Sequence, residues 1–180
     1  MMKCHQIAAG AAVLAAIVAA GCSRGGERAD MITGFDTLTK KPDPGVFAVG
    51  DVTLNGETKR AISVTPVVGS RLTWRVRVPE DGWLNVAVGL KPEAWEKEGD
   101  GVFFTVGVSD NRTYDPLFSQ HVDPFGSPAD RRWIPVWVDV SAYGGEEVDV
   151  ILNTLASQPK KEGDLRNDLA VWGEPVIVVR

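Results

Sequence analysis

The chain has 180 residues, 44% hydrophobic and 24% charged, with a formal net charge of −5 and 2 cysteines. This balance fits one globular domain plus a targeting segment and excludes a disordered chain. The acidity excludes general nucleic-acid binding, which needs clustered Lys and Arg, and disfavours electrostatic docking to anionic lipid heads.

The first element is a leader. Residues 1–6 carry Lys3 and no acid, and residues 7–21 are wholly small or apolar. That core has the length of a signal peptide and is shorter than the ~20 residues of a spanning helix. It ends Val18-Ala19-Ala20-Gly21-Cys22-Ser23, which resembles the lipobox of bacterial lipoproteins. The resemblance implies cleavage before Cys22, diacylglycerol on the Cys22 sulfur and acylation of the new amino terminus. Two or more acyl chains anchor stably to a membrane where one does not. Ala19 stands where a branched aliphatic is usual. Ordinary secretion with cleavage after small residues, or an uncleaved anchor, are the alternatives. Ser23 after the cysteine, rather than Asp, points to the outer membrane of an organism that has one, and otherwise to the cell envelope generally. Cys4 falls in the leader, so processing leaves Cys22 without a partner and no disulfide is expected.

Residues 22–45 are polar and rich in Gly and Pro, and read as a lipidated cysteine followed by a flexible tether. The cluster Pro42-Asp43-Pro44-Gly45 closes it, which places a domain over residues 46–180. From there the apolar period is two, the mark of half-buried strands. Leu72, Trp74, Val76 and Val78 alternate with Arg71, Thr73, Arg75 and Arg77. Further runs are Leu84/Val86/Val88/Leu90, Val102/Phe104/Val106/Val108, Ile134/Val136/Val138/Val140 and Val148/Val150/Leu152. Residues 176–179 are continuously apolar and suit a strand covered on both faces. Residues 47–54 and 60–65 could add two strands, joined by Asn55-Gly56, a strong hairpin signal. Residues 92–97 could form a single helical turn, and residues 109–132 read as one long connection. Short strands with such turns predict an all-β, antiparallel β-sandwich, with the jelly roll as its expected version.

Two segments carry a second resemblance. The first runs Trp133-Ile134-Pro135-Val136-Trp137-Val138-Asp139-Val140-Ser141-Ala142-Tyr143-Gly144-Gly145. The second runs Asp168-Leu169-Ala170-Val171-Trp172-Gly173-Glu174-Pro175. In their order they are similar to the carbohydrate-binding module of the NPCBM type, over roughly residues 50–180. The resemblance implies a jelly-roll fold; Leu169 stands where an aromatic is common. Fold alone does not give a ligand.

Candidate site residues follow from side-chain phase. Trp74 is in phase with the core, and Trp133 and Trp172 belong to the two motif segments, so these three read as structural. Trp137 is out of phase with Val136 and Val138, which leaves burial under a loop or a ligand face open. Tyr114 sits in the predicted 109–132 connection and is a second candidate stacking ring. Arg75, in the Arg71/Arg75/Arg77 stripe, either pairs with acids across the sheet or lines a groove for acidic glycans. Asp110, Asp115, Asp123 and Asp130 share the 109–132 connection and could contribute to a structural calcium site, but no calcium-loop motif is present. No metal site and no other cofactor is assigned. His121 is the sole histidine outside the leader, and no G-x-S-x-G elbow or zinc set accompanies it. No catalytic residue is assigned. The sequence therefore predicts a non-enzymatic lipoprotein of the cell envelope. Its partners are the membrane, through Cys22, and either a glycan or an envelope protein.

Overall fold

The alternating runs become strands. The structure, a computed structural model, describes residues 28–156 and 165–180. The predicted leader, Cys22 and residues 23–27 lie outside the described residues. Eleven strands are present among the described residues: β1 (Ala29–Asp30), β2 (Thr39–Lys41), β3 (Phe47–Leu54), β4 (Glu57–Val64), β5 (Gly69–Arg77), β6 (Gly82–Leu90), β7 (Val102–Ser109), β8 (Tyr114–Val122), β9 (Ile134–Asp139), β10 (Glu147–Ala156) and β11 (Ala170–Val179). The helical segments among them are single 3-10 turns, including the expected one at Pro92–Ala94.

The strands form two antiparallel sheets. Sheet I runs β3-β4-β11-β6-β9, with β1 also on β11; sheet II runs β2-β5-β10-β7-β8. The chain crosses between sheets after every strand except β3 and β7, which lead into hairpins, and this is the jelly-roll sandwich the sequence predicts. Alternation decides what faces inward. Leu84, Val86, Val88 and Leu90 of sheet I meet Leu72, Val106, Val150 and Leu152 of sheet II in the main core. Trp172 lies at its centre, 1% exposed. Its ring meets Phe104 edge-on at 4.9 Å, and its Nε1–H donates to Thr154 Oγ1 at 3.1 Å. Asn55 and Gly56 have φ values of 48° and 81°, the left-handed pair a tight β3–β4 hairpin requires.

The structure differs from the sequence reading in two places. First, the sandwich begins before Val46. β1 pairs with Ile177 and Val176 of β11, and β2 pairs with Leu72 and its neighbours on β5. Met31 and Leu38 are buried in the core. Most of the expected tether is therefore edge structure, held by backbone pairing and two apolar side chains. Second, the long connection contains β8, paired to β7 from Val102↔Val122 to Ser109↔Tyr114 with a bulge at Val106/Gly107. What remains of that connection crosses from sheet II to sheet I. Arg131 pins it by donating to Pro124 O at 2.9 Å and Trp95 O at 3.0 Å, and by pairing with Glu96 at 2.6 Å.

Candidate functional site

The outward face of sheet I carries an open trough of about 470 Å³. Its floor follows from the same alternation that builds the core. On β6 the outward residues beside it are Asn85 and Ala87, and on β11 they are Gly173, Val176 and Val178. Small side chains leave the space. A Cβ at Gly173 would stand 2.9 Å from the Trp133 ring and 3.1 Å from the Lys59 side chain.

One wall is aromatic. Trp133 packs with Val52, Leu54, Ala61, Ala87 and Val171 in a second apolar cluster on this outer face. That cluster covers Val171 on the outward side of β11, while Val179 at the end of the strand is 45% exposed, so the run 176–179 is covered on both faces only in part. The Trp133 Nε1–H donates to Glu57 O at 3.0 Å, tying the wall to the start of β4. Pro135 and Trp137 of β9 continue the wall. Trp137 pairs with Asn85, points away from the core and is 45% exposed. This resolves the open choice for Trp137 in favour of an accessible ring. The Arg180 guanidinium lies 4.9 Å from the Trp137 ring centre and 5.1 Å from that of Trp83. Such a cation over a ring face helps fix the ring's orientation.

The other wall is polar. Lys59 Nζ pairs with Glu57 at 2.7 Å and with Glu174 at 3.3 Å. The hydrogen bond that Lys59 donates to Glu57, with help from Glu174, raises the Lys59 pKa above its ordinary value and outweighs the effect of its partial burial. Glu174 reaches the trough because β11 bulges between Gly173 and Val176, and Glu174 itself has φ of 48°. Bulges re-aim side chains in this way, and a non-glycine residue in this region is held there by its surroundings. Arg28 closes the rim and pairs with Asp30 at 3.7 Å.

Tyr114 and Arg75 are elsewhere. Both lie on the outward face of sheet II, in one row with Asp149 and Ser109. Tyr114 is the first residue of β8 rather than a loop residue, and its ring covers Gly107 so closely that a Cβ there would meet ring atoms at 2.5 Å. Arg75 pairs with Asp149 at 3.3 Å and Glu147 at 3.6 Å, the cross-strand arrangement. Of the candidate residues, Trp137 alone lines the trough. Lys59, Glu57, Glu174 and Asn85 also line it, and no local pattern in the sequence marks them.

The four loop aspartates do not converge. Asp110 accepts from the backbone N–H groups of Thr113 and Arg112, which hold its pKa down to about 2. Asp115 accepts from the Tyr143 hydroxyl at 2.8 Å, Asp123 from Gly126 N–H and Asp130 from Asp123 N–H. Burial, and then Asp115, push the Tyr143 phenol up to about 12. Among the described residues no group of three or more His, Cys, Asp or Glu side chains could hold a metal ion.

Fold and site together define a two-sheet jelly roll with an aromatic-walled trough on one sheet. Solved structures share that fold. The family 61 module TmCBM61, in complex with β-1,4-galactotriose, superposes with a TM-score of 0.51 at 14% identity, covering 84% of this chain and 94% of that one. The CBM51-2 and INT domains of Clostridium perfringens ZmpB, in complex with GlcNAc, superpose with a TM-score of 0.50 at 13% identity, covering 78% of this chain and 27% of that one. In sequence, an uncharacterized protein of Archaeoglobus fulgidus is 38% identical over 103 residues, 57% of this chain. The match spans 25% of that relative's length. No family model matches the chain.

Proposed function

We propose that the protein is a non-catalytic carbohydrate-binding domain that takes its sugar in the sheet I trough. The observation that carries this reading is the half-exposed Trp137 ring lining the same trough as Lys59, Glu57 and Glu174, with Asn85, Ala87 and Gly173 on its floor. A pyranose is amphipathic in the matching sense. Its C–H face covers an aromatic ring, while its hydroxyls both donate and accept. Pockets of 300–1,000 Å³ with a few convergent polar groups are the usual form of a small-ligand site, and this trough falls in that range. The fold shared with carbohydrate-binding modules supports the same class.

The polar wall does not read as a hydrolytic pair. Two carboxylates meet on one ammonium, but the Glu57 and Glu174 side chains are 59% and 52% exposed. A general acid is kept protonated by burial, which neither has.

In this reading the domain is displayed at the cell envelope by lipid on Cys22. Because β1 starts at Ala29, at most about 25 Å of extended chain separates the domain from the anchor. The sandwich would then sit close against the membrane surface instead of on a long tether.

A glycan array probed with the purified protein tests the function. Binding that Trp137→Ala abolishes, with the thermal unfolding midpoint retained, is the expected result. An array without signal, or binding indifferent to Trp137→Ala, would remove the trough from the account.

A further inference from the structure

The charge arrangement of the trough goes one step further and rests on the sugar-binding reading above. We infer that the trough selects neutral glycans and rejects their uronic-acid counterparts. Both cations that line it are already matched. Lys59 is held by two carboxylates, Glu57 at 2.7 Å and Glu174 at 3.3 Å, and Arg28 by Asp30 at 3.7 Å. The matched groups, Lys59 and Arg28 against Glu57, Glu174 and Asp30, carry two positive and three negative formal charges, a net of −1. Arg180 is outside the lining and is engaged with the faces of Trp83 and Trp137.

An incoming carboxylate would have to displace Glu57 or Glu174 from Lys59, or sit beside them uncompensated. Like charges brought together at a binding surface are the ordinary means of rejecting a wrong partner. A pair of adjacent hydroxyls meets no such obstacle. Each carboxylate directs one oxygen at Lys59 and keeps a second as an acceptor for ligand O–H groups. Asn85 adds an amide that both donates and accepts. The upward shift of Lys59 keeps its ammonium charged through the neutral range.

The test is a matched-pair titration by calorimetry. Cellotriose, mannotriose and galactotriose are each compared with the same trimer oxidised at C6 to the uronate, at low salt. The expected result is that at least one neutral trimer binds and that its oxidised form binds about tenfold more weakly or not at all. Glu57→Gln/Glu174→Gln leaves Lys59 cationic without its carboxylates and should reverse the order, with the uronate now preferred. Glu174→Gln alone should narrow the gap, and guards against misfolding of the double variant. If no trimer of either kind binds, the sugar-binding reading fails and this inference falls with it. If the native protein binds the uronate as well as the neutral form, or the glutamine variants leave the preference unchanged, sugar binding stands and the charge rule is overturned.

Discussion

Replacing Trp133 by Phe tests how the trough is built. The native ring is 4% exposed and packs over the small outward residues of β4, β6 and β11. Phe keeps one aromatic ring but loses the N–H that holds Glu57 O at 3.0 Å. A lost hydrogen bond of this kind costs about 1 kcal/mol. The smaller ring also gives up roughly 50 Å² of buried apolar area, worth about 1.3 kcal/mol at 25 cal/mol per Å². Together these terms predict a loss of about 2–3 kcal/mol, and a urea midpoint lower by about 1 M with an unchanged slope. Because Glu57 leads into the polar wall, sugar affinity should fall as well. Equilibrium urea unfolding followed by far-UV circular dichroism reads the stability term. A change below about 0.5 kcal/mol, the size of an ordinary surface substitution, would show that Trp133 does not seal the outer cluster.

Three other outcomes follow from the geometry. Gly107→Ala places a Cβ 2.5 Å from the Tyr114 ring and must push that ring aside; glycan affinity should not change, because Tyr114 is on the opposite sheet from the trough. Asp110 is held down to about 2 by backbone N–H groups, and Asp139 is lowered by the Ser141 hydroxyl and N–H. Folded values below the unfolded ~3.9 mean stabilisation that is present above about pH 4 and lost as pH falls through the folded values. Asp110→Asn should flatten the fall of Tm between about pH 4 and pH 2, Asp139→Asn should flatten it below about pH 4, and both should leave the trend above pH 6 unchanged. Mass spectrometry of the mature amino terminus should find Cys22 first and carrying acyl chains. An unmodified Cys22, or cleavage elsewhere, would remove the anchor from the proposal.

How much of this was legible depends on where each signal lives. Strands buried on one face announce themselves locally, so β5, β6, β7, β9 and β10 followed from period two. β8 did not, because Tyr114-Asp115-Pro116 opens it, a proline interrupts its pairing potential and a bulge breaks its phase. β1 and β2 are short edges whose stability comes from partners in β11 and β5 and from Met31 and Leu38, which leave little pattern in a polar stretch. In the site, Trp137 was visible because its phase opposed its neighbours. Lys59 and Glu174 are 115 residues apart and meet through a bulge, so nothing local marked them. The motif containing Gly173-Glu174-Pro175 stands out in the sequence for its tryptophan, whereas its contribution to the trough is the missing Cβ and the re-aimed carboxylate.

The central claim is that sugar binds against Trp137. Tryptophan indole N–H resonances give the most direct test, in a titration of the ¹⁵N-labelled protein with the neutral oligosaccharide that binds best. The Trp137 signal should move progressively and saturate, with Trp133 responding through its bond to Glu57, while Trp172, buried against Thr154, stays still. Saturable binding with a motionless Trp137 signal, or shifts centred on Tyr114 and Arg75 of sheet II, would contradict the account.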